Sequence, residues 1–252
     1  MIRLAAFLLA LVAAWPAAAE EVVAALNQTR VAITTSFDGS EIFIYGAIKR
    51  DAPEAEGELN VVITLIGPSA PVVVRKKIRQ FGIWVNDPGV QVDAAPSFYA
   101  VASTRPLREA LSYTDDLRHR ISIDHAVRLI GDTQAERYPE DYRAAVMRLR
   151  RQGGLYTEQS GAVSVAEATL FSTSIRLPAQ LIEGDYRARI FITRDKAVVD
   201  HVEKTIAVRK IGLERWIYVM AKDHALIYGL LSLAIALAAG WLASTFFRIF
   251  FP

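Results

Sequence analysis

Cysteine does not occur in the 252 residues, which removes disulfide staples, thiol nucleophiles and Cys-ligated metals from consideration. Histidine is scarce. Its four copies, His119, His125, His201 and His224, fall in no H-E-x-x-H or other paired metal spacing. The chain also lacks G-x-S-x-G, S-x-x-K, Walker and dinucleotide-binding glycine patterns, and no Ser, His and Asp set stands out as a nucleophilic site. No internal repeat or low-complexity stretch is evident. No catalytic residue, metal or cofactor is therefore expected. His119 and His125, with Asp124 between them, can be drawn together by folding, although surface or packing roles are the simpler reading.

Charge is missing from both ends. Of the residues, 52% are hydrophobic and 22% charged, but the apolar ones are concentrated in two uncharged runs. The first, Leu4 to Trp15, follows Arg3 and precedes Pro16 and Ala17-Ala18-Ala19. It is too short for the ~20 residues that cross a bilayer and has the features of a secretory signal peptide cleaved after Ala19. The second, Ala225 to Phe247, is 23 residues without a charge, about 34 Å as a helix and long enough to span. Trp216 and Tyr218 precede it, and Trp241, Phe246, Phe247, Phe250 and Phe251 close its far end, as aromatic belts do.

These two segments predict a signal peptide (1–19), an exported domain (20–210), a juxtamembrane segment (211–224), one transmembrane helix (225–247) and a cytoplasmic tail (248–252). The signal peptide sets the orientation. Lys and Arg counts alone would not, since Arg209, Lys210, Arg215 and Lys222 precede the helix and only Arg248 follows it. Without Arg3 and Arg248 the chain from Glu20 to His224 has 27 basic and 27 acidic residues. A formally neutral exported domain argues against nucleic acid as a partner.

Within that domain, short β-branched runs broken by Gly and Pro predict a mainly β fold. In EIFIYGAIKR, Ile42, Ile44 and Gly46 point one way and Phe43 and Tyr45 the other. LNVVITLIG stops at Gly67-Pro68, and VVVRKKIRQ and FGIWVND follow. The period turns helical after Ser103. Ser103 or Thr104 can cap a first helix with Pro106 in its first turn, helical spacing continues from Asp115 to Gly131, and a clearer helix runs from Pro139 to Gly153-Gly154. Strand patterns then return. The reading is an immunoglobulin-like antiparallel β-sandwich with a helical insertion at 104–154. Tyr186, after the Glu183-Gly184 turn, stands either at a tyrosine corner or in an ordinary cross-strand position. The carboxylates Asp51, Glu54, Glu56 and Glu58 read as a solvated turn.

Two patterns suggest binding. In VRKKIRQFGIWVN, period two places Arg75, Lys77 and Arg79 on one side of a strand, a stripe for a small oxyanion or an acidic partner surface, or simply a charged edge. Trp84 is a core residue or a binding aromatic, and Asn86 closes the segment. In the membrane run, Ser232, Ala236, Gly240 and Ser244 recur every fourth residue, with Ala225 and Gly229 extending the face. Small residues let helix backbones approach closely in lipid, so this face implies a membrane partner, whether itself or another protein.

The ordered elements F-D-G (Phe37–Gly39), Y-G (Tyr45, Gly46), G-P (Gly67, Pro68), V-R-K-K-I-R-x-x-G-I-W-V-N (Val74–Asn86), P-S-F-Y (Pro96–Tyr99) and S-T-R-P-L (Ser103–Leu107) resemble an uncharacterised alphaproteobacterial family of transmembrane proteins. With Gly184–Tyr186 and the C-terminal span, the likeness covers essentially the whole mature chain. The resemblance implies no activity and no catalytic residues. It implies genes placed beside permeases similar to the TauE/SafE sulfite exporters, hence an inner membrane location with the sandwich in the periplasm. The expected function is a non-enzymatic accessory protein of a polytopic permease. An envelope assembly or sensing module acting through the helical insertion and its Arg143, Arg148, Arg150 and Arg151 is the alternative. A periplasmic enzyme is the third.

Overall fold

The computed structural model describes residues 20–34, 37–50, 56–86, 89–127, 139–211 and 213–250. The expected signal peptide at 1–19, Asp51 and Glu54 of the acidic turn, and residues 128–138 of the helical insertion lie outside them. Two compact units result: a β domain, comprising the chain up to Val31 and from Asp38 to Val208, and a second unit comprising Ala32–Phe37 and Arg209–Pro252.

The mainly β reading holds. One sheet of the β domain takes the order β1 (Glu20–Leu26), β3 (Gly39–Arg50), β12 (Leu170–Pro178), β11 (Ser164–Ala166). The other takes the order β10 (Tyr156–Ser160), β9 (Tyr99–Ser103), β4 (Leu59–Ile66), β13 (Gly184–Arg194), β14 (Ala197–Lys210), β2 (Arg30–Ile33). Along β3 the alternation is as the pattern indicates, with Ile42, Ile44 and Ile48 buried and Phe43 and Tyr45 exposed. β1 has no counterpart in the strand pattern read from sequence, because EEVVAAL is short and alanine-rich. It is held by its register on β3, from Glu20 opposite Arg50 to Leu26 opposite Ile44. Gly46 permits this close pairing: a Cβ there would lie 2.3 Å from the Val23 carbonyl oxygen and 2.5 Å from the Phe171 ring.

The six-stranded sheet is covered on both faces, so β4 is buried from Asn60 to Ile66. Val61, Ile63 and Leu65 alternate with Val62, Thr64 and Ile66. Val62 and Ile66 join Tyr99, Val101 and Phe191 in a core closed by Leu107, Leu111, Ile121, Ile123, Val146 and Met147 of the helical insertion. Burying two faces explains why apolar residues stand on both sides of this strand, with Thr64 the one polar residue between Val61 and Ile66.

Two expectations are corrected. The sandwich is not wholly antiparallel, since β10 runs parallel to β9, from Tyr156 opposite Tyr99 to Ser160 opposite Ser103. The helical stretch between them supplies the long crossover that parallel neighbours need. Nor does Ser103 or Thr104 cap the first helix, α1 (Leu107–Ala110), whose N-cap is Pro106 with no side-chain cap. Ser103 Oγ donates to the Arg105 carbonyl, and Thr104 Oγ1 donates to Asn60 Oδ1. The following helical spacing is split into α2 (Tyr113–His119) and α3 (Ile123–Ala126) by Arg120, in left-handed backbone at φ 51°. The clearer helix is α4 (Pro139–Gln152), with Glu140 and Asp141 at its start and Arg150 and Arg151 at its end, favourable for the helix dipole. Tyr186 is fully buried, and its hydroxyl donates to the Ile182 carbonyl at 3.0 Å, the backward bond of a tyrosine corner.

In the second unit, α5 (Leu213–Asp223) and α6 (Ala225–Phe250) follow each other, and backbone bonds from His224 to Met220 and from Tyr228 to His224 bridge the break. The juxtamembrane segment expected at 211–224 is therefore helical from Leu213 to Asp223, which the sequence pattern alone does not indicate.

Candidate interaction surfaces

The polar clusters of the β domain are used internally. Glu20 at the start of β1 accepts from Arg194 Nη2 at 2.6 Å and from Arg50 Nε at 2.8 Å, with the Glu20 and Arg194 side chains only 4% and 8% exposed. Burial pushes the Glu20 pKa up, but hydrogen bonds from Arg194 and Arg50 and their charges outweigh that and hold it below its ordinary value.

Arg189 on β13 forms a second cluster under the end of α2. It donates to the His119 carbonyl at 2.7 Å, the Arg120 carbonyl at 2.9 Å and Thr64 Oγ1 at 3.2 Å, and its guanidinium lies 5.2 Å from the Phe191 ring centroid. Carbonyls at a helix C-terminus lack intrahelical donors, and a cation there also suits the dipole. Tyr99 donates to the Ile121 carbonyl at 2.9 Å, and burial pushes its pKa up to about 12. The His119 ring packs 5.6 Å from Phe191 and 5.4 Å from His201, centroid to centroid. Desolvation, followed by the neighbouring His201, lowers the His119 pKa.

His125 contacts both Ser122 Oγ, at 3.1 Å, and Asp116 Oδ2, at 3.0 Å, through the same nitrogen, Nδ1. A Ser-His-Asp relay needs the carboxylate on one ring nitrogen and the hydroxyl on the other. Asp116 Oδ1 meanwhile accepts from the backbone of Ile121 and Ser122, so this arrangement ties the α2–α3 turn. Among the described residues no group of three His, Asp or Glu side chains is placed to hold a metal ion. On the insertion, Arg143 pairs with Glu140 and Arg151 with Asp124.

The VRKKIRQFGIWVN segment is different. It is not one strand: β5 (Ser69–Val74) ends before Arg75, and β6 (Lys77–Gln80) turns back into β7 (Ile83–Asn86) and then β8 (Val90–Pro96). Because β5 pairs with β8 and β6 with β7, the four form one long bent hairpin. Its base is anchored by Val90 and Val92, both fully buried. Arg75 falls in the bend, its side chain over Gly89, and so leaves the expected stripe. The distal register places Lys77 opposite Asn86 and Arg79 opposite Trp84. Directly paired residues share a sheet face, so four of the five expected binding residues converge there by cross-strand pairing. Trp84 is 69% exposed, which excludes it from the core.

Sequence reading missed Phe81 and Ile83. Phe81 and Gly82 form the two-residue tip with φ of 48° and 85°, the double positive φ of a type I′ turn that favours Asn-Gly. An aromatic residue in this conformation costs about 1 kcal/mol or more. Yet Phe81 is fully exposed and gains no packing within the chain, and Ile83 is 65% exposed. A glycine preceded by glutamine and phenylalanine was the signal available, but it lacks the Asn or Asp that marks such turns.

On α6 the helical period puts Gly229, Ser232, Ala236, Gly240 and Ser244 on one face, with Ala234 and Ala238 on the opposite side. The helix is exposed from Ala225 to Ser244, and a Cβ added at Gly229 or Gly240 would meet nothing within 4 Å. Ser232 Oγ donates to the Tyr228 carbonyl at 2.8 Å, so its polar atom is satisfied within the helix.

The fold and these surfaces define a mainly β protein with, among the described residues, one helix, Ala225–Phe246, long and apolar enough to cross a membrane. The chain belongs to the alphaproteobacterial transmembrane family whose model, described as "Putative transmembrane protein (Alph_Pro_TM)", matches residues 21–249. No curated protein matches it.

Proposed function

We propose that this protein is a non-enzymatic accessory subunit of a polytopic permease of the sulfite/anion-exporter kind, in the inner membrane of a Gram-negative cell. In this reading a signal peptide is removed, the β domain lies in the periplasm, and a short tail follows α6 into the cytoplasm. The observation that carries it is the face of Gly229, Ser232, Ala236, Gly240 and Ser244 on an exposed apolar helix. In lipid, helices gain little from burying Leu or Ile and associate by close packing at small residues. A helix used only as a tether has no need of such a face. Two further points support binding over catalysis: the buried polar clusters satisfy backbone and ion-pair demands, and His125 lacks the two-sided contacts of a relay. The choice of a permease rests on the gene neighbourhood that the family resemblance implies. A small-anion role for the cations is less favoured, since Lys77 and Arg79 lie on an open hairpin face, whereas sites for small ligands are concave.

Affinity purification of the full chain from its native membranes in mild detergent, with mass spectrometry, tests this. A multi-span permease at near-equal amount is expected. Recovery of the chain alone, or only with itself, would overturn the reading.

A further inference from the structure

We propose that the distal hairpin, Lys77–Asn86, is a second membrane contact that binds the headgroup layer of an anionic phospholipid bilayer. Three observations carry this. First, large apolar side chains are exposed at and just behind the turn: Phe81 at the tip is fully exposed, Ile83 beside it is 65% exposed, and Trp84, directly opposite Arg79, is 69% exposed. Second, Lys77 and Arg79 stand behind the tip on the face they share with Trp84. At about 3.3 Å per strand residue, Arg79 stands about 7 Å and Lys77 about 13 Å back from Phe81. An apolar wedge buried about 5–10 Å at the boundary of headgroups and acyl chains would bring these cations to the phosphates. No Asp or Glu occurs from Ser69 to Asn86, where Arg75, Lys76, Lys77 and Arg79 do, and none of these four enters an ion pair among the described residues. Third, Phe81 holds a left-handed backbone that an aromatic residue adopts only at a cost, for no contact inside the chain.

Charge complementarity therefore selects an anionic surface, and the aromatic tip selects one with an apolar layer beneath it. Trp and Phe beside Lys and Arg are the residues of membrane interfaces. A chain already tethered by α6 needs little affinity per contact, because tethering raises the effective concentration of lipid.

The native lack of cysteine makes the test clean. Full-length Q80C, labelled beside the intact Phe81 with an environment-sensitive fluorophore, is placed in nanodiscs with added vesicles of the same composition, so that the hairpin can meet its own or a second bilayer. Phosphatidylcholine alone is compared with phosphatidylcholine containing phosphatidylglycerol, with brominated acyl chains as quencher. The expected result is a blue shift and at least twofold stronger quenching in the anionic lipid. High salt and the K77Q/R79Q variant should reduce the quenching to the neutral-lipid level. Water-like emission in both compositions overturns the proposal. So does a blue shift without lipid quenching, which would mean that the tip is covered by protein.

Discussion

Glu20, the first residue of β1, lies 2.6 Å from the guanidinium of Arg194, the last residue of β13, and the pair joins strands of the two sheets while almost completely buried. Removing one partner leaves the other charge desolvated, which typically costs several kcal/mol. E20A is expected to destabilise the β domain by about 3 kcal/mol, read as a lowered thermal midpoint of the detergent-solubilised chain. Because the Glu20 pKa is lowered on folding, its contribution is present above the unfolded value of 4.5 and is lost as pH falls through the folded value.

Arg189 fastens the end of α2 to β13. R189A removes the donor to the His119 and Arg120 carbonyls, each a charge-assisted bond, and is expected to cost about 2–3 kcal/mol. Hydrogen exchange should show the loss concentrated in Tyr113–Val127, with protection of β1, β3 and β12 largely kept.

His119 gives the domain a pH dependence of defined sign. Its folded pKa lies below the ordinary histidine value of 6.5, so the unfolded chain binds the proton more readily. Stability is then full above about 6.5 and declines as pH falls through that value toward the folded pKa. Thermal midpoints measured from pH 7.5 to 5.5 should fall on acidification, and the slope in this window should be smaller in H119Q.

Phe81 separates stability from function. Asn is at ease in the left-handed region and favours the type I′ turn, so F81N is expected to stabilise the hairpin by about 1 kcal/mol while reducing lipid contact. A substitution that raises stability and lowers binding marks a residue kept for an external partner.

Much of the fold was legible because the constraint was local. The alternation of Ile42 and Ile44 with Phe43 and Tyr45, the β-branched run of β4, the acids and arginines at opposite ends of α4, and the uncharged stretch from Ala225 to Phe247 in α6 are each written in a short window. What escaped depended on distant neighbours. β1 is a strand because Gly46 admits it beside β3, and the parallel placement of β10 against β9 follows from the crossover through the insertion. The cation stripe was half legible. Lys77 and Arg79 keep period two, but the bend at Arg75 and the pairing of Arg79 with Trp84 depend on a turn whose first residue, Phe81, carries no turn signal.

The central claim is that the small-residue face of α6 packs against a permease. The direct measurement compares affinity purifications of the wild-type chain, A236L/G240L, and A238L, which makes a similar enlargement on the opposite side of the helix. Small-to-large changes at a close helix contact block backbone approach. A multi-span permease should be recovered in near-equal amounts with wild type and A238L and be reduced at least tenfold with A236L/G240L. Equal recovery with all three chains, or recovery of no multi-span protein with any, would contradict the account.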